Sequence, residues 1–492
     1  MIENNQNNDA MKHPKGLYYL FSTEMWERFS YYGIMALMVL YMTKALGFTD
    51  KSADLIVGAY CAFTFLSPVL GGYLADKYLG YSLSVKIGGL GIFIGNVILV
   101  MPFGIKSFFL GLAFIIVGTG LLKSTVSVIV GQLYKKEDPR IDSAYTLFYM
   151  GINIGSTLAG ILSYIGERVN WHYGFILSAA GMLLGLYIFW KGTKYYAPQS
   201  NEVNFEKLRQ KFLGIKNGAW IALGLIAITG IVVYLFYCPQ VIEKLMMIVS
   251  FAVPVYLIYL ALKCNGKDRL RIFAILIYVF FATIFFALYM QVNNSLILFM
   301  DRDVNRNMFG FNIPASTASL VFNTGAIILF APIFSWIWLY MGKIKKEPSV
   351  PVKFFIGMLL IAASFGIFAY QARLSSNGVP SSVWITLLGM IVFSMAELCV
   401  SPVGLSMIMQ LSPAHLAGVL MGAWFMASAF GGYLSGVIAS FADVSKEISS
   451  NVAASSSIYC GLFMKSSYVM LIFAAIFLIF IPFLTRVTHS KE

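Results

Sequence analysis

Charge is what this chain has least of. Across 492 residues only 12% are Asp, Glu, Lys or Arg, while 59% are hydrophobic and the mean hydropathy is +0.77. A soluble globular protein of this size needs far more charge to cover its surface, so that class is excluded and a polytopic membrane protein is indicated. Cysteine is sparse too: Cys61, Cys238, Cys264, Cys399 and Cys460 are scattered, odd in number and without C-x-x-C spacing. That argues against a disulfide framework and against a zinc site. The four histidines, His13, His172, His415 and His489, fall in loops or near segment ends. With no Ser-His-Asp or metal-ligand grouping, the sequence offers no enzymatic centre and no cofactor site. The phosphate-binding pattern Gly-x-x-x-x-Gly-Lys-Ser/Thr is missing, which argues against coupling to ATP within the chain. The polar, Asn-rich stretch Met1 to Ala10 lacks a signal pattern, so the first apolar segment is expected to direct insertion.

What the chain has in abundance is long apolar runs. A window of about 19 residues finds them near 17–45, 53–75, 84–104, 108–134, 142–165 and 172–190. A basic stretch follows, Lys191 to Lys216, whose charge spacing suits a short amphipathic helix on the membrane surface. Two further runs lie at 218–237 and 241–263, and the last six at 272–300, 317–341, 352–372, 382–411, 415–441 and 466–485. The expected fold is an all-α polytopic membrane protein of six and six spans with a two-helix hairpin between the halves, about fourteen in all. The expected domains are 1–196, an N-terminal six-helix bundle; 197–269, a linker and membrane hairpin; and 270–492, a C-terminal six-helix bundle. Placing both termini in the cytoplasm puts the largest basic clusters inside, namely 191–216, 263–271 and 343–353. The net charge of +13 is thus a topology signal, and nucleic acid is not expected as a partner.

The stretch Ser22-Thr23-Glu24-Met25-Trp26-Glu27-Arg28-Phe29-Ser30-Tyr31-Tyr32-Gly33 places two carboxylates and a guanidinium inside the first apolar run. On a helix Glu24, Glu27 and Arg28 stand at i, i+3 and i+4 and share a face, with Tyr31 and Tyr32 one turn later. Such a stripe costs several kcal/mol against lipid, so it faces a bundle interior or a water-filled path. Its two readings are a substrate or proton path and an ion pair that only fixes helix packing.

Other polar groups lie at membrane depth. Lys123, in Gly118-Thr119-Gly120-Leu121-Leu122-Lys123, and Glu397, in Ser394-Met395-Ala396-Glu397, sit too far from segment ends to snorkel. Opposite charges on two walls suit a zwitterion, or else lock the halves as a permanent ion pair. Asn153 and Asn323 could bind a peptide-like group, since an amide both donates and accepts, or could glue helices. Trp424 lies in a Gly- and Ala-rich run where small residues permit close packing and large ones line a pocket.

Three signatures carry a resemblance: Glu24-x-x-Glu27-Arg28-Phe29-x-Tyr31-Tyr32-Gly33, Phe148-Tyr149-x-x-Ile152-Asn153-x-Gly155-Ser156, and Glu397-Leu398-x-x-Ser401-Pro402-Val403-Gly404-Leu405-Ser406. In this order they resemble the proton-coupled oligopeptide transporter (POT/PTR) family of the major facilitator superfamily, over nearly the whole chain. The hairpin between the halves is similar to that of the prokaryotic members. The resemblance implies proton-driven uptake of di- and tripeptides by alternating access across the cell (inner) membrane, with protons as coupling ion and no other cofactor. It implies proton coupling by Glu24, Glu27, Arg28, Lys123 and Glu397. It implies a substrate pocket of Tyr31, Tyr32, Phe65, Lys123, Asn153, Asn323, Glu397, Trp424 and Ser428, with Lys123 and Glu397 gripping the two peptide termini.

The departures are equally specific. Met35 and Met290 stand where family members often carry the two halves of an ion pair; losing both is coherent, because losing one would strand a charge. Phe65 replaces a pocket tyrosine, Lys123-Ser124-Thr125 a Lys-Pro-Asn, and Asn323-Thr324 an Asn-Pro. These changes leave open a peptide derivative or another small zwitterion as substrate, and a membrane sensor that keeps the fold without transporting.

Overall fold

The computed structural model describes residues 13–134, 140–196, 203, 205–264, 266–413, 416–442 and 444–489. Within hydrocarbon each backbone N–H and C=O must be satisfied inside its own segment, so the apolar runs become helices. Fourteen long ones are found among the described residues: α1 (Lys15–Lys44), α2 (Asp50–Leu74), α3 (Tyr81–Val100), α4 (Ile105–Gln132), α5 (Ile141–Arg168), α6 (Trp171–Tyr196), α7 (Asn217–Tyr237), α8 (Pro239–Lys263), α9 (Gly266–Tyr289), α10 (Ala315–Lys343), α11 (Val350–Ser375), α12 (Val383–Leu411), α13 (Ala417–Ser440) and α14 (Val452–His489). All but α1 are long and apolar enough to cross a membrane by composition alone. The charges of α1 lower its hydropathy, yet its length and burial are those of its neighbours. The expected order of six, two and six helices is what the chain forms.

Three local differences from the hydropathy profile have physical causes. The run 272–300 is not one helix: α9 ends at Tyr289, Met290–Asn293 form a 3₁₀ turn, and a shorter helix, Ser295–Asp303, follows. Gln291 and Asn294 turn inward at this break, Gln291 Nε2 donating to Ser435 O at 2.8 Å and Asn294 Nδ2 to Ser435 Oγ at 2.9 Å. Ser319 Oγ donates to Val292 O at 2.8 Å, satisfying a carbonyl of the turn. The last helix begins at Val452, well before residue 466, because its serine-rich first turns find partners: Ser455 Oγ donates to the buried Asp303 carboxylate at 2.5 Å. In the basic stretch, α6 runs on through Lys191 and Lys194, which sit over the rings of Tyr187 and Tyr195 at 4.6 and 5.1 Å. The described part of that surface segment holds one five-residue helix, Phe205–Arg209, and a small hairpin pairing Lys211–Phe212 with Ile215–Lys216.

The chain divides into two compact units, residues 1–34 with 66–237, and residues 35–65 with 238–492. In the first unit α3 packs on α4 along facing glycines; a Cβ on Gly95 would come within 2.6 Å of Gly111 O, and one on Gly111 within 2.7 Å of Gly95 O. Small residues allow this backbone approach, which supplies dispersion contact where lipid removes the hydrophobic drive. A buried polar triad joins three helices of the same unit. Asn96 Nδ2 (α3) donates to Ser30 Oγ (α1) at 3.0 Å, Ser178 Oγ (α6) donates to Asn96 Oδ1 at 2.7 Å, and the two serines are 2.7 Å apart. Replacing Asn96 with alanine is expected to cost about 1–2 kcal/mol, read as a lower thermal unfolding midpoint in detergent. An unchanged midpoint would show that the triad contributes nothing net.

In the second unit α9 packs on α13 and α14, α11 on α12 and α14, and α10 on α12. Residues 35–65 are held in it by ion pairs at the turn joining α1 to α2. Arg302 meets Asp50 through two bonds of 2.5 and 2.7 Å and Tyr459 Oη at 3.1 Å, and Lys44 Nζ lies 2.6 Å from Asp301 Oδ1. Two parallel N–H···O bonds fix orientation as well as charge.

Candidate functional site

In the first unit the helical spacing read from the sequence is realised. Glu24, Glu27 and Arg28 are 4%, 1% and 3% exposed, so all three charges are withdrawn from solvent. Arg28 Nε lies 3.2 Å from Glu24 Oε1 and is hydrogen-bonded to Glu27 as well. One guanidinium lies between two carboxylates, and isolated burial of either carboxylate would cost several kcal/mol. The same guanidinium sits 4.9 Å from the centre of the Tyr31 ring, which packs edge to face on Tyr32 at 5.2 Å. A ring face stabilises a cation, so the cluster is closed on one side by an aromatic wall.

Two glycines of α5 allow this arrangement. A Cβ on Gly151 would lie 3.0 Å from the Phe21 ring, and a Cβ on Gly155 would strike Met25 O and come within 3.2 Å of Arg28 Cβ. Gly151 and Gly155 therefore let α5 lie directly against the part of α1 that carries the charges. Asn153 on the same helix is buried, its Nδ2 donating to Tyr149 O at 3.1 Å. Lys123 of α4 is half-buried, and the charges of Glu24, Glu27 and Arg28 all act on it. Glu24, Glu27, Arg28, Tyr31, Tyr32, Lys123 and Asn153 thus all belong to the first unit.

Phe65, Asn323, Glu397, Trp424 and Ser428 belong to the second. Glu397 accepts a hydrogen bond from Tyr289 Oη, which also lies 3.2 Å from Asn323 Oδ1. Asn323 Nδ2 reaches Ser394 Oγ at 3.1 Å. Tyr289 is stacked on Phe393 at 4.9 Å and on Phe285 at 6.1 Å, which holds its hydroxyl in place. Trp424 is 2% exposed; it meets Phe286 edge to face at 6.0 Å and fills the space over Gly404, where no side chain could stand. Ser428 is buried, and Phe65 is half-buried at the end of the segment 35–65. Met35, in that same segment, is buried, and Met290 stands in the 3₁₀ turn after α9.

Two groups were not legible in the sequence. Tyr289 looks like one more aromatic in an aromatic-rich helix, and only its neighbour Glu397, 108 residues away, reveals its role. The Asp50–Arg302 and Lys44–Asp301 pairs join residues more than 250 apart, all of which read as ordinary segment-end charges. Among the described residues no group of three or more His, Cys, Asp or Glu is placed to hold a metal ion. His13 is hydrogen-bonded to Tyr134 Oη at 2.8 Å and His172 to Asn170 Oδ1 at 3.0 Å, while His415 lies outside the described residues.

Comparison with known proteins bears on the whole chain. The model of the POT family matches residues 82–457. The peptide transporter YePEPT of Yersinia enterocolitica is 36% identical over 451 residues, covering 87% of each chain. Among solved structures, a variant of the peptide transporter POT in complex with alafosfalin superimposes with a TM-score of 0.85 at 30% identity, covering 98% of this chain and 97% of that one. A POT family transporter in complex with 5-aminolevulinic acid superimposes with a TM-score of 0.84 at 28% identity, covering 96% and 98%. With a family model over most of its length, a relative at this identity and fourteen helices in the expected order, the chain is a multi-pass membrane protein that belongs to the POT family of the major facilitator superfamily.

Proposed function

We propose that this protein imports di- and tripeptides together with protons, by alternating access, and is not an enzyme. The observation that carries the reading is the buried Glu24–Arg28–Glu27 cluster with Lys123 in its field: in a family of peptide transporters, it supplies carboxylates whose partners can change with protonation. Glu24, Glu27 and Arg28 serve proton coupling. A carboxylate relieved of its charge no longer needs the guanidinium, which is then released to other acceptors, Lys123's ligand among them. In the first unit Lys123 offers an ammonium to a peptide carboxylate, with Tyr31, Tyr32 and Asn153 as neighbouring polar contacts. In the second unit Glu397 offers a carboxylate to a peptide ammonium, beside Asn323, with Phe65, Trp424 and Ser428 shaping the apolar part. The membrane is the cell inner membrane, with both termini cytoplasmic, as the distribution of Lys and Arg supports.

A second reading has its own support. Phe65, Thr125 and Met290 depart from the usual pocket residues, and one structural neighbour was solved with 5-aminolevulinic acid, which also carries an amine and a carboxylate. Proteoliposomes under an imposed pH gradient test both. Labelled dipeptide is expected to accumulate when the outside is acidic, and accumulation indifferent to the gradient would remove the coupling. Competition separates the substrates: block by a panel of di- and tripeptides supports the first reading, and block by 5-aminolevulinic acid alone at millimolar levels supports the second.

A further inference from the structure

Tyr289 bridges two residues whose proton needs conflict. Its hydroxyl is hydrogen-bonded to Glu397 of α12 and lies 3.2 Å from Asn323 Oδ1 of α10. From Asn323 the row continues: Nδ2 donates to Ser394 Oγ at 3.1 Å, and Ser394 Oγ lies 2.8 Å from Met390 O and 3.0 Å from Asn323 O. A phenol has a single proton to donate. When that proton serves Asn323 Oδ1, the contact with Glu397 requires a proton on the carboxyl. Glu397 then donates to Tyr289, Tyr289 to Asn323, Asn323 to Ser394, and Ser394 to a helix carbonyl. No donor is wasted.

An ionised Glu397 can only accept. The Tyr289 proton then turns to the carboxylate, the Asn323 amide rotates by half a turn so that Nδ2 donates to Tyr289 Oη, and Ser394 donates to Oδ1. Amide oxygen and nitrogen are nearly the same size, so this rotation needs almost no space. Both arrangements give each contact of the row one donor and one acceptor, and they run in opposite directions.

Resting on the proton-coupled transport proposed above, we propose that Tyr289, Asn323 and Ser394 form a hydrogen-bond row whose direction reverses with the proton on Glu397, with Tyr289 as its positioning residue. The row carries the protonation state of α12 to α9 and α10 without moving a helix. Its surroundings leave Glu397 in control. Tyr289 is the titratable group that touches it; α10 carries only Tyr340 and Lys343, both near its far end, and α13 only Tyr433. On α11, Lys353 acts at Cys399, two residues along α12, while Tyr370 and Arg373 lie near the opposite end of that helix. The basic residues of α9, Lys267, Arg269 and Arg271, with Asp268, lie at its start, and Tyr278 lies three turns before Tyr289.

Infrared difference spectra of the full-length protein in liposomes, between acid and alkaline buffer, test this. Glu397→Gln identifies the carboxyl band and Asn323→Leu the amide band. In the wild type both bands are expected to change together with pH. In Tyr289→Phe the carboxyl band is expected to move to higher frequency, having lost its partner, and the pH-dependent amide band to vanish. An unmoved carboxyl band, a persisting amide change, or no Glu397 band at all overturns the row. Should Tyr289→Phe fail to fold, Ser394→Ala serves at the far end: the amide change is expected to be lost there too, and its survival overturns the proposal. Wild-type uptake under a pH gradient, run in parallel, separates the two claims, since failed uptake with intact coupled bands removes the transport reading and leaves the row standing.

Discussion

Arg28→Leu is expected to cost the first unit about 3–5 kcal/mol, the penalty of removing one partner from a buried ion pair. Two carboxylates, Glu24 and Glu27, share this guanidinium at 4% and 1% exposure, so its removal takes away their hydrogen-bonded partner and leaves Lys123 as the neighbouring positive charge. Leucine ends at the δ position, so the loss of the contact with the Tyr31 ring and a small packing defect where the guanidinium lay add to the electrostatic penalty. The thermal midpoint of the purified protein in detergent reads the effect, with recovery as a monodisperse species as a second measure. Adding Glu24→Gln and Glu27→Gln to Arg28→Leu is expected to restore much of the midpoint, because neutral amides need no counter-charge. A variant as stable as the wild type would mean that the two carboxylates do not depend on Arg28, and the proton-path reading would lose its footing.

Glu27→Gln is the second. Glutamine keeps the shape of the side chain and can still accept from Arg28, so the fold is expected to hold, but it cannot take up a proton. A gradient of one pH unit is worth about 1.4 kcal/mol per proton, about a tenfold accumulation of a coupled solute. In Glu27→Gln that accumulation is expected to fall to simple equilibration in proteoliposomes, while exchange of labelled for unlabelled peptide, which needs no net proton movement, continues. Full accumulation in the variant would sink the coupling role of Glu27. Loss of exchange as well would assign it to the architecture of α1.

How much of this was readable in advance differs from residue to residue. The shared face of Glu24, Glu27 and Arg28 follows from 3.6 residues per turn, and the structure realises it with the Tyr31 ring one turn on. The break after Tyr289 was invisible, because a hydropathy window averages Gln291 and Asn294 with their apolar neighbours, whereas the helix responds to where those amides find donors and acceptors. The early start of α14 has a related cause: Ser455 reads as a loop residue until Asp303 is packed against it. Trp424 was legible as large among small, and its seat on Gly404 was not.

Spans, their approximate ends, the buried charges of α1 and the family signatures follow from the amino-acid order itself, since hydropathy and helical spacing are properties of neighbours in the chain. Which side chains meet across the chain was decided only by packing. Tyr289 finds Glu397 over 108 positions, and Arg302 finds Asp50 over 252. A hydrogen bond of 3 Å tolerates no slack, and the crossing of one helix on another that brings two such groups together is set by glycines, bends and ring stacking spread over the whole unit. Composition alone cannot encode that geometry, because the same residues in a slightly rotated helix would point elsewhere.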